Sequence, residues 1–411
     1  MGENMLYTKC IKIIILTGLL SVSVLLSACG TPVTNPSPKS MDIESRTIAT
    51  SSGHSMFIDN NNSLFAWGEN RHGQLGDGTT TDRYYLVHIM DDVASVSIQG
   101  DHSMAIRTDG SLWAWGQNDV GQLGDGTTRN RHAPVHIMDN VVAISTGNWQ
   151  SFAIKSDGSL WGWGLNNFGQ VGNGTTRNQR RPVRIMDDVV SVSSFEHMSM
   201  AISADGSLWA WGITDLAQLG QGSGGTGQSV PVHILDDVAK VSVGRSHIAV
   251  IKTDDSLWTW GWNHFGQLGD GTLEKRLNPV HIMDNVKSVV AGVGTVRAIK
   301  TDGSLWAWGS NSDGRLGNGL TAEQEPNPIH IMDEVVAVAD GALSALALQS
   351  DGSLWTWGRL FYLPLSDEEY EELADSFHLF PITLLEPMKI ADNVMLPHVP
   401  SSLNLYEGRR E

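Results

Sequence analysis

Between residues 93 and 138 the chain alternates small, polar and β-branched residues with a period of two, in four short runs. Residues 93–98 (VASVSI) read as a first strand and 102–107 (HSMAIR) as a second. Residues 111–116 (SLWAWG) make a third, in which Leu112 and Ala114 face one way and Trp113 and Trp115 the other. Asp109-Gly110 lies between the second and third runs, and Asp-Gly between two alternating runs predicts a tight hairpin, because such turns need positive φ. A glycine-punctuated loop, Asn118 to Gly126, leads to a fourth strand at 134–138 (PVHIM) closed by Asp139-Asn140. Four short antiparallel strands in about 48 residues form a small sheet that is apolar on both faces. Such a sheet is stable only between two others.

The pattern recurs. The second Trp of each Trp-x-Trp-Gly motif falls at Trp67, Trp115, Trp163, Trp211, Trp260, Trp308 and Trp357, always 48 or 49 residues apart. Only the first copy departs, with Phe65 in the leading position. A fixed period of this length marks one structural unit copied seven times. The predicted fold is therefore all-β: a seven-bladed β-propeller of four-stranded antiparallel blades. The Trp columns are best explained as packing between blades, since each Trp can bury roughly 150–250 Å². The repeated D-G-S-L-W-x-W-G, G-Q-L-G-D-G and P-V-x-I segments resemble the repeat of the regulator of chromosome condensation family over residues 43–394, and that resemblance also implies a seven-bladed ring.

The seventh copy is broken. After Trp357-Gly358 the glycine-punctuated loop is replaced by residues 359–386, and the repeat resumes at Pro387. Ser366-x-x-Glu369 is a capping box, and Tyr370, Leu373, Ala374 and Phe377 share one helical face, so the insert is predicted to hold a short amphipathic helix. Pairing residues 46–50 with 388–393 in a shared blade would close the ring. The propeller then spans 43–399, with a C-terminal tail at 400–411.

The N-terminus carries an address. Lys9 and Lys12 precede an apolar run at 13–26, which reads as a signal peptide (1–28) and is too short for a membrane-spanning helix of about 20 residues. The run ends Leu26-Ser-Ala-Cys29-Gly30, which resembles the bacterial lipobox. That resemblance implies cleavage before Cys29 and lipid attachment to its sulfur. Residues 29–42 lack apolar periodicity and read as a flexible tether. The expected location is outside the cytoplasm, lipid-anchored to the bacterial membrane or envelope. Both cysteines lie within the first 29 residues, so the propeller has no disulfide or thiolate zinc site.

Net charge is −18, and removal of 1–28 takes two Lys and one Glu with it and leaves −19. That balance opposes nucleic acid as a partner, although single Lys and Arg residues in loops leave room for a local basic spot. Five of the 14 His residues (His88, His136, His233, His281, His330) occupy one repeated column, and His54, His102 and His247 lie in equivalent loops. No metal, cofactor or catalytic residue is expected: the hydrolase, metalloprotease and phosphate-loop motifs do not occur.

The two faces of the ring read differently. One carries Asp at two columns, Asp109, Asp157, Asp205, Asp254, Asp302 and Asp351 in the hairpins, and Asp91, Asp139, Asp187, Asp236, Asp284, Asp333 and Asp392 in the links. Turn chemistry, with Asp capping its own backbone, explains these better than a cation site. The other face is built from the loops after strands one and three, and there the copies diverge. Thirteen of the 15 Trp residues lie on the two repeated columns; the other two, Trp149 and Trp262, lie in these loops. With Phe168, Glu196, His197, Leu216, Arg245, His264 and Phe265 they make the candidate binding face, because aromatic anchors beside Arg and His compose interface hot spots. The expected function is a monomeric, non-catalytic protein-binding module, similar to the secreted bacterial branch of the family that inhibits β-lactamases, with the partner an exported enzyme or envelope protein. A carbohydrate or cell-wall module is the alternative, since exposed Trp and Phe also stack on sugars. The nucleotide exchange of the family's nuclear members is disfavoured by export and charge.

Overall fold

The structure, a computed structural model, describes residues 47–213, 227–362 and 382–394. Those residues form 28 β-strands arranged as seven four-stranded antiparallel sheets, each using its strands in chain order. Blade 1 holds β1 (Ile48–Thr50), β2 (His54–Ile58), β3 (Leu64–Gly68) and β4 (Arg83–Met90). Blade 2 holds β5 (Val93–Gln99), β6 (His102–Arg107), β7 (Leu112–Gly116) and β8 (Arg131–Met138). The other five blades repeat this, at 141–186, 189–235, 238–283, 286–332 and 335–391. The predicted all-β propeller is the fold. Outer strands begin earlier than alternation suggests: β8 starts at Arg131, opposite Gly116, past a register shift between Ala114 and Gly116. A bulge of this kind inserts an unpaired residue and hides the strand's start from a period-two reading.

Stacking explains the apolar pattern. Trp115 is fully buried and points into blade 1, against Met56, Ile58, Leu64 and Ala66. Leu112 and Ala114, on the other face of the same strand, pack on Val141, Ile144 and Trp163 of blade 3. The Trp115 indole N–H donates to the Gln74 carbonyl of blade 1 at 2.9 Å, and the Ser103 hydroxyl donates to the same oxygen at 2.7 Å. Trp163 and Ser151 repeat the pair on Gln122, and Trp211 and Ser199 on Gln170. A buried indole thus fills the gap between blades and satisfies its one donor there.

The leading Trp of each motif sits further out and is only half-buried. Trp113 donates to the Ser111 hydroxyl at 3.0 Å and takes the His136 ring edge-on at 5.6 Å. Ser111 in turn donates to Asp109, whose carboxylate also accepts the Ser111 backbone N–H at 2.9 Å. The hairpin Asp column is turn chemistry, as expected. The link column works differently: Asp91, Asp139, Asp236, Asp284 and Asp333 accept from the His three residues earlier at 2.7–2.8 Å. The residue after each of these Asp takes the left-handed φ of 60–61° that turns the chain into the next blade.

Ring closure departs from the sequence expectation. Residues 46–50 and 388–393 do not share a sheet: β1 stays in blade 1, and β28 (Ile382–Ala391) stays in blade 7 beside β27 (Leu354–Leu360). The ring closes through faces instead. Ile48, Phe57 and Trp67 pack on Leu346, Leu348 and Leu354 as one cluster, and a single bridge joins Asp59 to Val394. Each copy therefore folds as a whole blade, because every copy carries all four strands in phase. The helix predicted within 359–386 lies outside the described residues apart from its flanks; β27 continues to Leu360 and β28 begins at Ile382, so the flanks extend two strands.

Candidate functional site

Among the described residues, the loops after the first and third strands gather on one face, as the alternation of strand direction requires. At the centre of this face the first-strand loops enclose the mouth of the axial channel, a cavity of 240 Å³ lined by Ser51, Gln99, Asn148, Glu196, Arg245 and Asp340 among others. Of the sequence-predicted residues, Glu196 and Arg245 line this mouth and pair at 3.2 Å.

Glu196 is held there by an unusual backbone. Blade 4 joins β13 (Val189–Phe195) to β14 (Met198–Ser203) with only Glu196 and His197 between the paired Phe195 and Met198. Blade 2 makes the same short connection with Gly100, at φ 57°, and Glu196 adopts φ 40° in its place. A side chain in that region is uncommon and costs free energy, so the surrounding structure must over-determine it. The short turn lifts His197 between two aromatic rings. Trp149 stacks on it at 5.8 Å and 19°, and Phe168 tilts against it at 4.8 Å. The Gln170 amide lies 3.4 Å from His197 Nδ1. Burial lowers the His197 pKa, opposed by Glu196. The ring is therefore neutral at pH 7 and behaves as a third aromatic of the cluster. Phe168 remains 39% exposed at its edge.

A second cluster stands on blade 5. Trp262 lies 6.1 Å from His264, and His264 is edge-on to Phe265 at 5.4 Å. Phe265 leans towards Gly294 of blade 6 yet stays 43% exposed. The structure thus gathers the predicted residues into two aromatic groups with the Glu196–Arg245 pair as a third element. Leu216 lies outside the described residues, as does Cys29.

The three loop histidines belong to the scaffold. His54 Nε2 lies 3.0 Å from the Ser103 hydroxyl and His102 Nε2 2.9 Å from that of Ser151, each across a blade interface. Burial drives both pKa values down to about 3 and that of His247 down to about 4. They are neutral hydrogen-bonding groups, committed to neighbouring blades.

With this geometry in place the comparisons with known proteins are decisive for family. The profile of the RCC1-like domain matches residues 31–294, and that of the regulator of chromosome condensation (RCC1) repeat matches 302–348. The chain belongs to the RCC1-like family. Among solved structures it is similar to yeast RCC1 (Prp20) bound to Kap60, at 20% identity and TM-score 0.71, covering 90% of this chain and 91% of that one. It is also similar to Prp20p from Saccharomyces cerevisiae, studied with Gsp1p and histones (21%, TM-score 0.69, 82% and 88%), and to human WBSCR16 (22%, TM-score 0.65, 72% and 85%). No curated protein sequence matches the chain. Identities at this level establish the fold alone.

Within this RCC1-like ring, sequence reasoning missed one polar site. Arg297 is fully buried between blades 6 and 7, at the column where Met56, Met104, Phe152, Met200 and Leu346 pack apolar side chains. It pairs with Asp340 of blade 7, and its guanidinium also donates to the Arg315 carbonyl. Thr295 donates to the second Asp340 oxygen at 2.9 Å. Burial, and then the neighbouring Arg315, lower the Arg297 pKa to about 9, still well above physiological pH. Arg315 replaces the loop Gln of blades 1 to 5 and reaches Asp313 at 2.8 Å and the Ala342 carbonyl at 3.1 Å. The signal was present in the sequence, as charged departures at framework columns.

Proposed function

We propose that this protein is a lipid-anchored, cell-surface propeller that binds another protein through its variable loop face and performs no catalysis. The observation that carries this reading is the Trp149–His197–Phe168 stack with the Trp262–His264–Phe265 group. The only two Trp residues outside the repeated columns sit in partly exposed aromatic clusters on the one face whose loops do not repeat. Rigid aromatic anchors beside an exposed Arg supply large contact area at small conformational cost. The solved relative Prp20p is described with protein partners, Gsp1p and histones, which accords with a propeller used as an interaction module. Anchoring rests on Cys29 following the apolar N-terminal run.

Affinity capture from crosslinked envelope extracts is expected to retain a stoichiometric protein partner with the native ring and to lose it with Trp149→Ala and Trp262→Ala together. Interface hot spots each cost about 2 kcal/mol or more on truncation, so the double change should weaken binding at least several hundredfold. Undiminished capture by the double variant rejects the face. Retention on purified cell wall that soluble glycans compete away would instead identify a carbohydrate module. Cys29→Ser is expected to release the protein from membrane to medium, and continued membrane retention would exclude the lipid anchor.

A further inference from the structure

One segment runs against the acidity of the whole chain. From residue 166 to 184 there is no Asp or Glu, while Arg177, Arg180, Arg181 and Arg184 all occur, in a chain of net charge −18. The loop architecture of blade 3 shows that its carboxylates are dispensable to the fold. In blades 1, 2 and 5, Asp77, Asp125 and Asp270 accept from the loop Asn and pair internally with Arg83, Arg131 and Arg276. Blade 3 has Asn173 there, and it accepts the same bonds from Asn166 at 3.1 Å and Thr175 at 2.8 Å. Gln179 stands at the arginine's position. The internal ion pair is gone, and the positive charge has moved to the next two residues outward.

Arg180 and Arg181 face blade 2. The Arg180 carbonyl accepts the Gly126 N–H at 2.8 Å, and a Cβ on Gly126 would lie 2.5 Å from the Arg181 guanidinium. Glycine at 126 is what lets the guanidinium lie over the blade 2 loop. Arg129 stands in that same loop, its carbonyl held by Asn118 at 3.0 Å, and Arg177 is its counterpart in blade 3, held by Asn166 at 3.1 Å. All four side chains are exposed, and among the described residues none of them forms an ion pair. In the column of Arg181 the other blades carry Tyr85, Ala133, Val230, Asn278, Asn327 and Glu386. Asn166, which holds the Arg177 carbonyl, belongs to the same blade 3 loop as Phe168, so Arg177 and the Trp149–His197–Phe168 cluster share a blade and a face.

We propose that Arg129, Arg177, Arg180 and Arg181 form the docking rim for an acidic segment of the partner protein, whose apolar residues reach the aromatic cluster on the same face. This rests on the protein-binding reading above and specifies the chemistry of the partner. Guanidinium groups match carboxylates bidentately, and four of them without counter-charges repel one another until an anionic surface arrives. A charged rim around an aromatic centre is the anatomy of a protein interface, and the rim governs encounter rate and partner choice. A long polyanion or an anionic bilayer would also meet the rest of a strongly negative body, whereas a compact acidic segment meets only this edge.

The test uses the whole chain in detergent micelles and a dye-labelled octaglutamate peptide, with octalysine as control, read by fluorescence anisotropy. Octaglutamate alone is expected to bind, more weakly as salt shortens the screening length. Arg180→Glu with Arg181→Glu should weaken it roughly tenfold or more, the equivalent of about 1.4 kcal/mol. The neutral pair Arg180→Gln with Arg181→Gln should fall between, with unchanged far-ultraviolet circular dichroism, and Trp149→Ala with Trp262→Ala should leave octaglutamate binding intact. Octaglutamate binding that survives reversal of all four arginines overturns the rim while leaving the aromatic face standing. Arginine-dependent binding that is tighter for phosphatidylglycerol-containing vesicles or for a single-stranded oligonucleotide than for octaglutamate overturns the choice of partner.

Discussion

At the residue scale, the Arg297–Asp340 pair shows how one departure from a repeated column is accommodated. A guanidinium without access to water is tolerable only with its counter-charge in place, and blade 7 supplies that charge where the other blades have Thr50, Ile98, Thr146, Ser194, Val243 and Ala291. Removing one partner of a buried pair typically costs about 3–5 kcal/mol, whereas replacing both by apolar groups is often neutral or stabilising. Asp340→Ala is therefore expected to lower stability by about that amount in urea unfolding. Arg297→Met with Asp340→Ala, which restores the side chain of Met56, Met104 and Met200, should recover most or all of it. A single variant costing under about 1 kcal/mol would show that the pair contributes nothing. Glu196 is the second instructive residue. Its loop position marked it as variable, yet nothing in the local sequence announced a left-handed backbone, because that conformation is imposed by the two-residue reach between Phe195 and Met198.

At the element scale, the second strands carry the pH dependence of the ring. His102 in β6 has its pKa near 3 in the folded state, against about 6.5 when unfolded. The unfolded chain therefore takes up the proton first. The stability this histidine contributes is complete above pH 6.5 and is lost as pH falls from 6.5 towards 3, by at most about 1.4 kcal/mol per pH unit. His54 adds a term of the same sign over the same window, and His247 over a slightly shorter one ending near pH 4. Blade 3 offers the control, since Gln150 occupies the equivalent position and is equally buried. His102→Gln is expected to cost about 1 kcal/mol at pH 7, the worth of the bond to Ser151, and to flatten the fall in urea midpoint between pH 6.5 and 4.5. Parallel curves for the two proteins would refute the assignment. The inner strands were legible beforehand, since in the third strand of blade 2 Leu112 and Ala114 alternate cleanly with Trp113 and Trp115. The outer strands were legible only in part, because the bulge opposite Ala114 and Gly116 breaks the period on which the reading depends.

At the scale of the whole molecule, the seam between blades 7 and 1 differs from the other six interfaces. The seventh copy lacks the glycine-punctuated loop whose backbone carbonyl, at Gln74, Gln122, Gln170, Gln267 or Arg315, accepts from the Trp of the following blade, and among the described residues no such bond reaches Trp67, which packs in its apolar cluster. A contact across the seam supplies another: the Tyr362 hydroxyl donates to Asp82 at 2.7 Å, and its ring lies 5.0 Å from Tyr84 of blade 1. Burial and the Asp82 carboxylate push the Tyr362 pKa up, so the phenol stays protonated and keeps donating. Tyr362→Phe is expected to lower stability by about 1–2 kcal/mol and to speed hydrogen exchange at β1 before other blades, which exchange mass spectrometry would resolve. Uniform exchange across the ring would show that the seam is no weaker than its neighbours. The sequence by itself determined the number of blades, their strand order and which side chains lie between them, because each of these follows from a local period repeated seven times. Only the tertiary structure decided how the ring closes, which loop residues meet and where charge gathers. Closure by apolar faces, the His197 sandwich and the arginines lying across blade 2 all join residues from different copies, and a period read within one copy carries no information about the contacts between them.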